Sequence, residues 1–317
     1  MFIKDVMATA DVAVLYDSII RNPGFIVIKP TDSSKRLYKM MKVITTNSTK
    51  TNDMQALNRA ISVLRDQKTA ISITLLNKKR FVGGRDYFQT PRRLFAPTNR
   101  PKCNKKKNDC AVMVHNTWIV GKSAKVYRFR ENLMWVYDSD NQYYTSNSRL
   151  YMTYTNRPQK KRTSAENGKI LALKTAMTIG HVLNRTVILP RFHVGPKAVL
   201  CPLNCILHIH SFEKQFAGHY RENSFLFHPK VPLSVKFGLS KTLEVDDSSN
   251  TSLTRGYVTV TSDAIVRRFS NIKHKVLIFG SFFGVRVELE NNTNDIAFKK
   301  KLGKAFFRSN YVQLKRW

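Results

Sequence analysis

Short apolar runs alternate with segments of helical period along much of this chain, and that order limits the folds open to it more than any single motif does. In the second half, Leu150 to Thr155 alternates as a strand and Thr186 to Leu189 reads as a buried strand ending at Pro190. Between them a helix is expected from Thr163 to about Leu183. Thr163 and Glu166 form a capping-box pattern at its start, and Ile170, Leu173, Met177 and Val182 form its inward stripe. The order returns in Tyr257 to Val260, a helix from about Ser262 to Phe269, and Lys275 to Phe279. Strand, crossover helix and strand make the unit of a parallel sheet, so a Rossmann-like α/β region is expected here. No GxGxxG loop opens the first helix, and Gly168 alone cannot make one, so a dinucleotide site is not supported.

The first half also reads as α/β. Val12 to Leu15 and Phe25 to Lys29 are expected strands, Asp32 to Ile44 a helix, and Thr51 to Asp66 an amphipathic helix with Leu57, Ile61 and Leu64 on one stripe. Pro91 to Lys107, rich in Pro, Asn and basic residues, reads as a loop. A polar junction near Asp140 to Ser148 places a boundary there, giving domains at 1–148 and 149–317. A chain of 317 residues holds roughly two domains.

Charge restricts partners. With 54 Lys+Arg against 21 Asp+Glu the net charge is +33, which calls for anionic partners. Nucleic acid is one such partner, because cations that neutralise phosphates release counterions. The basic residues are spread along the chain, densest at Lys102 to Lys107 and Lys160 to Arg162, and no zinc-finger spacing, RNA-recognition signature or basic zipper is present. A sugar nucleotide, an acidic glycan or a membrane surface fits the diffuse positive field about as well. The longest apolar run, Val276 to Val285, is too short to cross a bilayer, and MFIKDVMATADVAV lacks the pattern of a signal peptide.

The densest chemistry lies in Met113 to Trp135, MVHNTWIVGKSAKVYRFRENLMW. Ala111 to Val114 reads as a buried strand that delivers His115 and Asn116; Gly121 then lets the backbone turn, and Lys122 and Lys125 supply cationic donors. An imidazole at a strand end can ligate a divalent metal, and ammonium groups can neutralise a phosphate leaving group. Taken alone, a single His and a Gly-Lys pair are more often structural.

This stretch resembles the closing motif of the nucleotide-diphospho-sugar transferase family, a His-Asn-x-Trp-[Ile/Val]-x-Gly-Lys-x-x-Lys segment followed by Phe-Arg-Glu and a Trp. Here it reads His115, Asn116, Trp118, Ile119, Gly121, Lys122, Lys125, Phe129, Arg130, Glu131 and Trp135. Three further stretches resemble family landmarks in the family order: Gly24 to Thr31 the strand lining the donor pocket, Asn52 to Ile61 a helix giving Asp53, Leu57 and Asn58, and Phe81 to Phe88 the turn before the acceptor cleft. The resemblance implies a partial GT-A-like nucleotide-sugar transferase domain followed by the Rossmann-like α/β region. It implies a glycosyltransferase that moves a sugar from a nucleotide-sugar donor to a glycan or glycoprotein hydroxyl. Under it His115 is a metal ligand, with manganese as the implied cofactor. Asp53 acts at the acceptor or transferred sugar, and Gly24, Asn58, Gly84, Asn116, Trp118, Gly121, Lys122 and Lys125 line the donor site.

The family's acidic Asp-x-Asp lies upstream of the part matched here, so the domain is expected to lack its first strand and helix. Asp138-Ser139-Asp140 is read as a turn, and Asp17 is the carboxylate considered in place of the acidic motif. Family members are usually type II Golgi membrane proteins, so membrane association is expected only through an N-terminal anchor outside this sequence. Two alternatives stay open: a catalytically inactive glycan- or nucleotide-binding domain, and a basic nucleic-acid-binding protein, the less favoured partner class. LNRTVILPRF is also similar to a run in protein O-fucosyltransferase-like domains, accompanied by Tyr220 to Leu226.

Cys103 with Cys110 and Cys201 with Cys205 are close in sequence; local disulfides suit a secretory lumen, and four reduced thiols are the alternative. Asn47, Asn184, Asn250 and Asn291 stand in Asn-x-Ser/Thr sequences, about as many as an Asn-rich chain gives by chance. Asn184, between a helix and a buried strand, is expected to serve backbone hydrogen bonding. His208 and His210 in ILHIH share one face if the segment is a strand, and are read as sheet-face residues in preference to a metal pair. Arg221 with Glu222 is read as an anion holder or a surface pair.

Overall fold

A computed structural model describes the chain except residues 1, 18, 49, 89–109, 138–141, 157–164, 195–198, 202, 204–205, 246–251, 255–256, 291 and 307–317. The chain divides into two compact units, the first running to Val120 and the second taking up the chain from Gly121. The helix carrying Lys122 and Lys125 therefore belongs to the second unit.

In the first unit α1 (Phe2–Thr9) leads into β1 (Val12–Asp17) and β2 (Ile20–Ile28), followed by α2 (Asp32–Thr46), α3 (Asp53–Asp66) and β3 (Ile73–Leu75). β1 is the middle strand, antiparallel to β2 and parallel to β3. Its run Val12-Ala13-Val14-Leu15 is apolar without interruption because both faces are covered. Val12 and Val14 pack with Leu37 of α2 and Leu57, Ala60, Ile61 and Leu64 of α3, while Ala13 and Leu15 pack with Met7, Leu76 and Phe81. Asn52 caps α3 through a reciprocal box with Gln55. Two more parallel strands follow, β4 (Phe81–Gly83) and β5 (Met113–His115), with α4 (Gly84–Phe88) directly after β4.

Ala111 to Val114 is not a buried strand. The strand begins at Met113 and is half-buried along its length, and Val112 before it is 56% exposed.

The second unit opens with α5 (Lys122–Glu131) and is built on a five-stranded sheet. Its strands are β6 (Tyr151–Thr155), β7 (Thr186–Ile188), β10 (Tyr220–Arg221), β11 (Leu239–Leu243) and β14 (Val276–Ser281), in the order β10-β7-β6-β14-β11. Every neighbouring pair is parallel. The parallel α/β expectation is met, with α6 (Ala165–Val182) crossing from β6 to β7; Thr163 and its cap lie outside the described residues. A short antiparallel pair, β8 (Phe192–Val194) and β9 (Val199–Cys201), lies between β7 and α7 (Ile209–Phe216). The short α8 (Leu233–Lys236) precedes β11.

The second strand-helix-strand repeat does not close within one sheet. β13 (Tyr257–Thr261) pairs with β12 (Ser252–Thr254) and with β15 (Val285–Glu288), whereas β14, reached through α9 (Ser262–Phe269), enters the main sheet between β6 and β11. The last helix, α10 (Thr293–Phe306), packs on α7.

Two local readings change. ILHIH is not a strand: His208 caps α7 and His210 lies in its first turn, both exposed, and residues two apart on a helix do not face one another. Asn184 stands at φ 50° just past α6, the left-handed position asparagine tolerates, and its N–H donates to His181 O at 3.1 Å. That agrees with a backbone role.

Candidate functional site

Three strands of the first unit stop at one place. Asp17 is the last residue of β1, Gly83 of β4 and His115 of β5. The carboxyl ends of parallel strands are where open α/β sheets form ligand crevices, because helices or loops that follow leave free backbone and side-chain groups there. A β-carbon on Gly83 would come within 2.2 Å of Asp17 Oδ1, which shows how tightly the two ends meet.

β2 reaches the same place through an irregularity. Its register with β1 shifts between Val14 and Leu15, so Pro23, Gly24 and Phe25 leave the regular ladder. The shift brings Gly24 against the His115 ring, where a β-carbon would lie 1.9 Å from Cε1 and 2.3 Å from Nε2. Only a residue without Cβ permits that approach. The Gly24 N–H donates to Asn22 Oδ1 at 2.9 Å, and Asn22 Nδ2 donates to Asp17 Oδ2 at 3.2 Å.

The segment after β5 closes the cluster. Trp118, at φ 58°, turns its indole so that Nε1–H donates to Asp17 Oδ1 at 3.1 Å. Asp17 is only 4% exposed, and each of its carboxylate oxygens accepts one of these hydrogen bonds. The Trp118 ring itself remains 46% exposed, with the Arg85 guanidinium 5.2 Å from its centroid. The Gly84 N–H donates to Thr117 Oγ1 at 2.9 Å, and a β-carbon on Gly84 would strike the Thr117 backbone at 2.3 Å. Asn116 is buried beside them in sequence.

Gly24, Gly84, His115 and Trp118 are thus brought together by the first unit, around a carboxylate that was only a secondary candidate. Asp17 had a legible signal, an acidic residue ending the buried run VAVLYD. Asn22, Arg85 and Thr117 had none.

Other expected site residues stand elsewhere. Asp53 is exposed in the first turn of α3, and the contact described for its carboxylate is the Met54 N–H at 2.8 Å. Asn58 donates to Arg21 O in β2 and to Met54 O, both at 2.8 Å, so its amide ties α3 to the strand that carries Gly24. Gly121 is the N-cap of α5 at φ 90°, the backbone freedom expected of it. Lys122 and Lys125 are exposed on that helix.

The end of the family-like stretch serves the second unit's interior. Glu131 is buried, with Arg191 Nε 3.4 Å from its Oε1. Burial pushes its carboxyl up to about 7, against the opposing pull of Arg191. Arg221 and Glu222 are 1% and 0% exposed, so they are no surface pair. Tyr143 OH donates to Glu222 Oε2 at 2.6 Å, and Arg221 Nε donates to Tyr143 O at 3.2 Å. The guanidinium carbons of Arg130 and Arg221 lie 3.8 and 4.0 Å from the Tyr143 ring centroid. Arg221 is also spent on the carbonyls of Gly218 and Tyr220, which leaves it a strut of the fold.

Among the described residues no three His, Cys, Asp or Glu side chains gather as a metal-holding group. His115 with Asp17 does not fit such a centre unaided, and the roles below are assigned to the chain's own groups.

No curated protein and no solved structure matches the chain. Residues 3–129, from α1 through Phe129 of α5, match the family model described as nucleotide-diphospho-sugar transferase, so this part of the chain is similar to a nucleotide-sugar transferase domain of glycosyltransferase type.

Proposed function

We propose that the first unit binds a nucleotide-sugar donor at the Asp17–His115 cluster and that the chain transfers the sugar to a glycan or glycoprotein hydroxyl. One observation carries this reading: residues 17, 24, 84, 115 and 118, far apart in sequence, meet where three strands end, inside the stretch similar to a nucleotide-sugar transferase. Asp17, held by Asn22 and Trp118, presents an oriented carboxylate that can accept from sugar or ribose hydroxyls. The exposed Trp118 ring offers a flat face for a base or sugar, and Arg85 beside it supplies cationic donors for phosphate oxygens.

The roles assigned to Asp53, Asn58, Asn116, Gly121, Lys122, Lys125 and a manganese ion rest on the family resemblance alone. So do the Golgi lumen and the O-fucosyltransferase-like character of the second unit. The Cys103–Cys110 and Cys201–Cys205 pairings are proposed with that location; Cys103, Cys205 and the side chain of Cys201 lie outside the described residues. Thermal stabilisation of the chain by a panel of nucleotide sugars, with and without manganese, tests the proposal. A donor that raises the melting temperature of the wild type and not of Asp17→Asn supports it. No response from any donor, or equal responses from both proteins, removes it.

A further inference from the structure

The second unit carries an apolar surface with lysines on the turn that forms it. After the turn Phe225–Phe227, Pro232 starts α8, whose first residue Leu233 is 67% exposed. Phe237, one turn later and 80% exposed, donates its N–H to Leu233 O at 2.9 Å, so the two side chains stand side by side on the outer face of this turn. Val231 and Val235, two residues to either side of Leu233, are buried and pack with Phe225, Tyr144 and Val276. Burial of the valines fixes the turn and obliges Leu233 and Phe237 to face out.

Neighbouring segments extend the patch. Phe227 is 65% exposed in the turn that packs on α8. Lys230 Nζ donates to Val136 O at 3.0 Å, which sets Val136 and Tyr137, 70% and 65% exposed, beside the same turn. Single exposed apolar residues need no explanation, but five large ones on three adjoining segments do. The stretch from Phe227 to Phe237, which carries three of the five, contains Lys230 and Lys236 and no Asp or Glu.

We infer that this face docks on an anionic lipid bilayer surface. The charge of these lysines selects an anionic partner, and the apolar side chains select a lipid one. Leu233 and Val136 have no flat face on which a base could stack, whereas at a bilayer they enter the headgroup and acyl boundary with the aromatic rings while the lysines meet lipid phosphates. No described helix is long and apolar enough to cross a membrane, so contact of this kind lies along the surface. The inference is independent of the donor site and concerns only the second unit.

Co-sedimentation of the full chain with vesicles tests it. Binding is expected to vesicles of phosphatidylcholine mixed with phosphatidylserine, to weaken with salt, and to be slight on phosphatidylcholine alone. Leu233→Ser with Phe237→Ser should lower partitioning about tenfold or more. Lys230→Ala with Lys236→Ala should lower it roughly thirtyfold. Both variants should keep the melting temperature, since the four side chains are at the surface. Binding unchanged by Leu233→Ser with Phe237→Ser would mean a diffuse charge attraction and would overturn the assignment. So would absence of vesicle binding, or light scattering in which the same substitutions only dissociate a self-associated form.

Discussion

Gly24 sits so close to His115 that the ring occupies the volume a side chain at position 24 would need. The two belong to different strands, β2 and β5, and the close approach ties the irregular part of β2 to the end of β5.

Gly24→Ala should therefore displace the imidazole. We expect a loss of about 1–3 kcal/mol of stability from overpacking, and loss of donor-induced stabilisation beyond what the folding defect explains. Denaturant unfolding and nucleotide-sugar thermal shifts measured on one preparation separate the two effects. A Gly24→Ala protein with native stability and native donor response would show that His115 has room to move.

Asp17→Asn keeps the size of the side chain and removes its charge. Transfer activity should fall by about a hundredfold or more if the carboxylate works on substrate. The variant should stay folded, because an amide can still accept from Trp118 through one oxygen. Activity within a few-fold of wild type would leave Asp17 with a packing role.

Trp118→Phe removes the indole donor and leaves a buried carboxylate oxygen of Asp17 short of one hydrogen bond. The expected cost is about 1–3 kcal/mol, read from chemical denaturation. Asp17→Asn with Trp118→Phe should cost less than the sum of the single changes, since the pair shares one interaction.

Glu131 sets a pH signature for the second unit. Its carboxyl is held near 7 in the folded chain by burial, against an ordinary value of 4.5, so the folded state keeps a proton that the unfolded state has lost. The contribution is full below about 4.5 and declines as pH rises toward 7, on the order of 3 kcal/mol over that window. Glu222, raised in the same direction by burial, adds to the trend. Glu131→Gln should flatten the fall in stability between about pH 4.5 and 7. An unfolding free energy whose pH slope is identical in the two proteins would place the titration elsewhere.

Where one segment faces a covered environment, the sequence announced the structure. The run Val12 to Leu15 is apolar at every position because both faces of β1 are buried, and the stripe Leu57, Ile61, Leu64 is periodic because one face of α3 is. The parallel character of the second unit was legible in its alternation of strand and helix. Which sheet each strand joins was not: the separation of β13 from β14 is decided by distant partners, β15 and β6. ILHIH misleads because five residues of alternating polarity also suit the start of an amphipathic helix.

The same limit applies to the site. Gly24, Gly84, His115 and Trp118 could be named from a family-like pattern, but their meeting with Asp17 is long-range and left no local mark. Phe129-Arg130-Glu131 could be read only as the end of a family-like motif, yet Glu131 is buried with Arg191 and Arg130 stacks on Tyr143. Charges hidden in pairs and over aromatic rings are invisible to a composition argument.

The centre of the second unit's sheet is the pairing of β6 with β14, Tyr151 against Val276 and Thr153 against Ile278. As the chain emerges from the ribosome, β6 and β7 are made early, but β6 lacks its other neighbour until nearly the whole polypeptide exists. Parallel pairing over such a separation is slow, since the intervening loop must be closed before any contact rewards it. During that delay the strand Tyr151–Thr155 presents an open edge, the condition under which incomplete chains pair with one another.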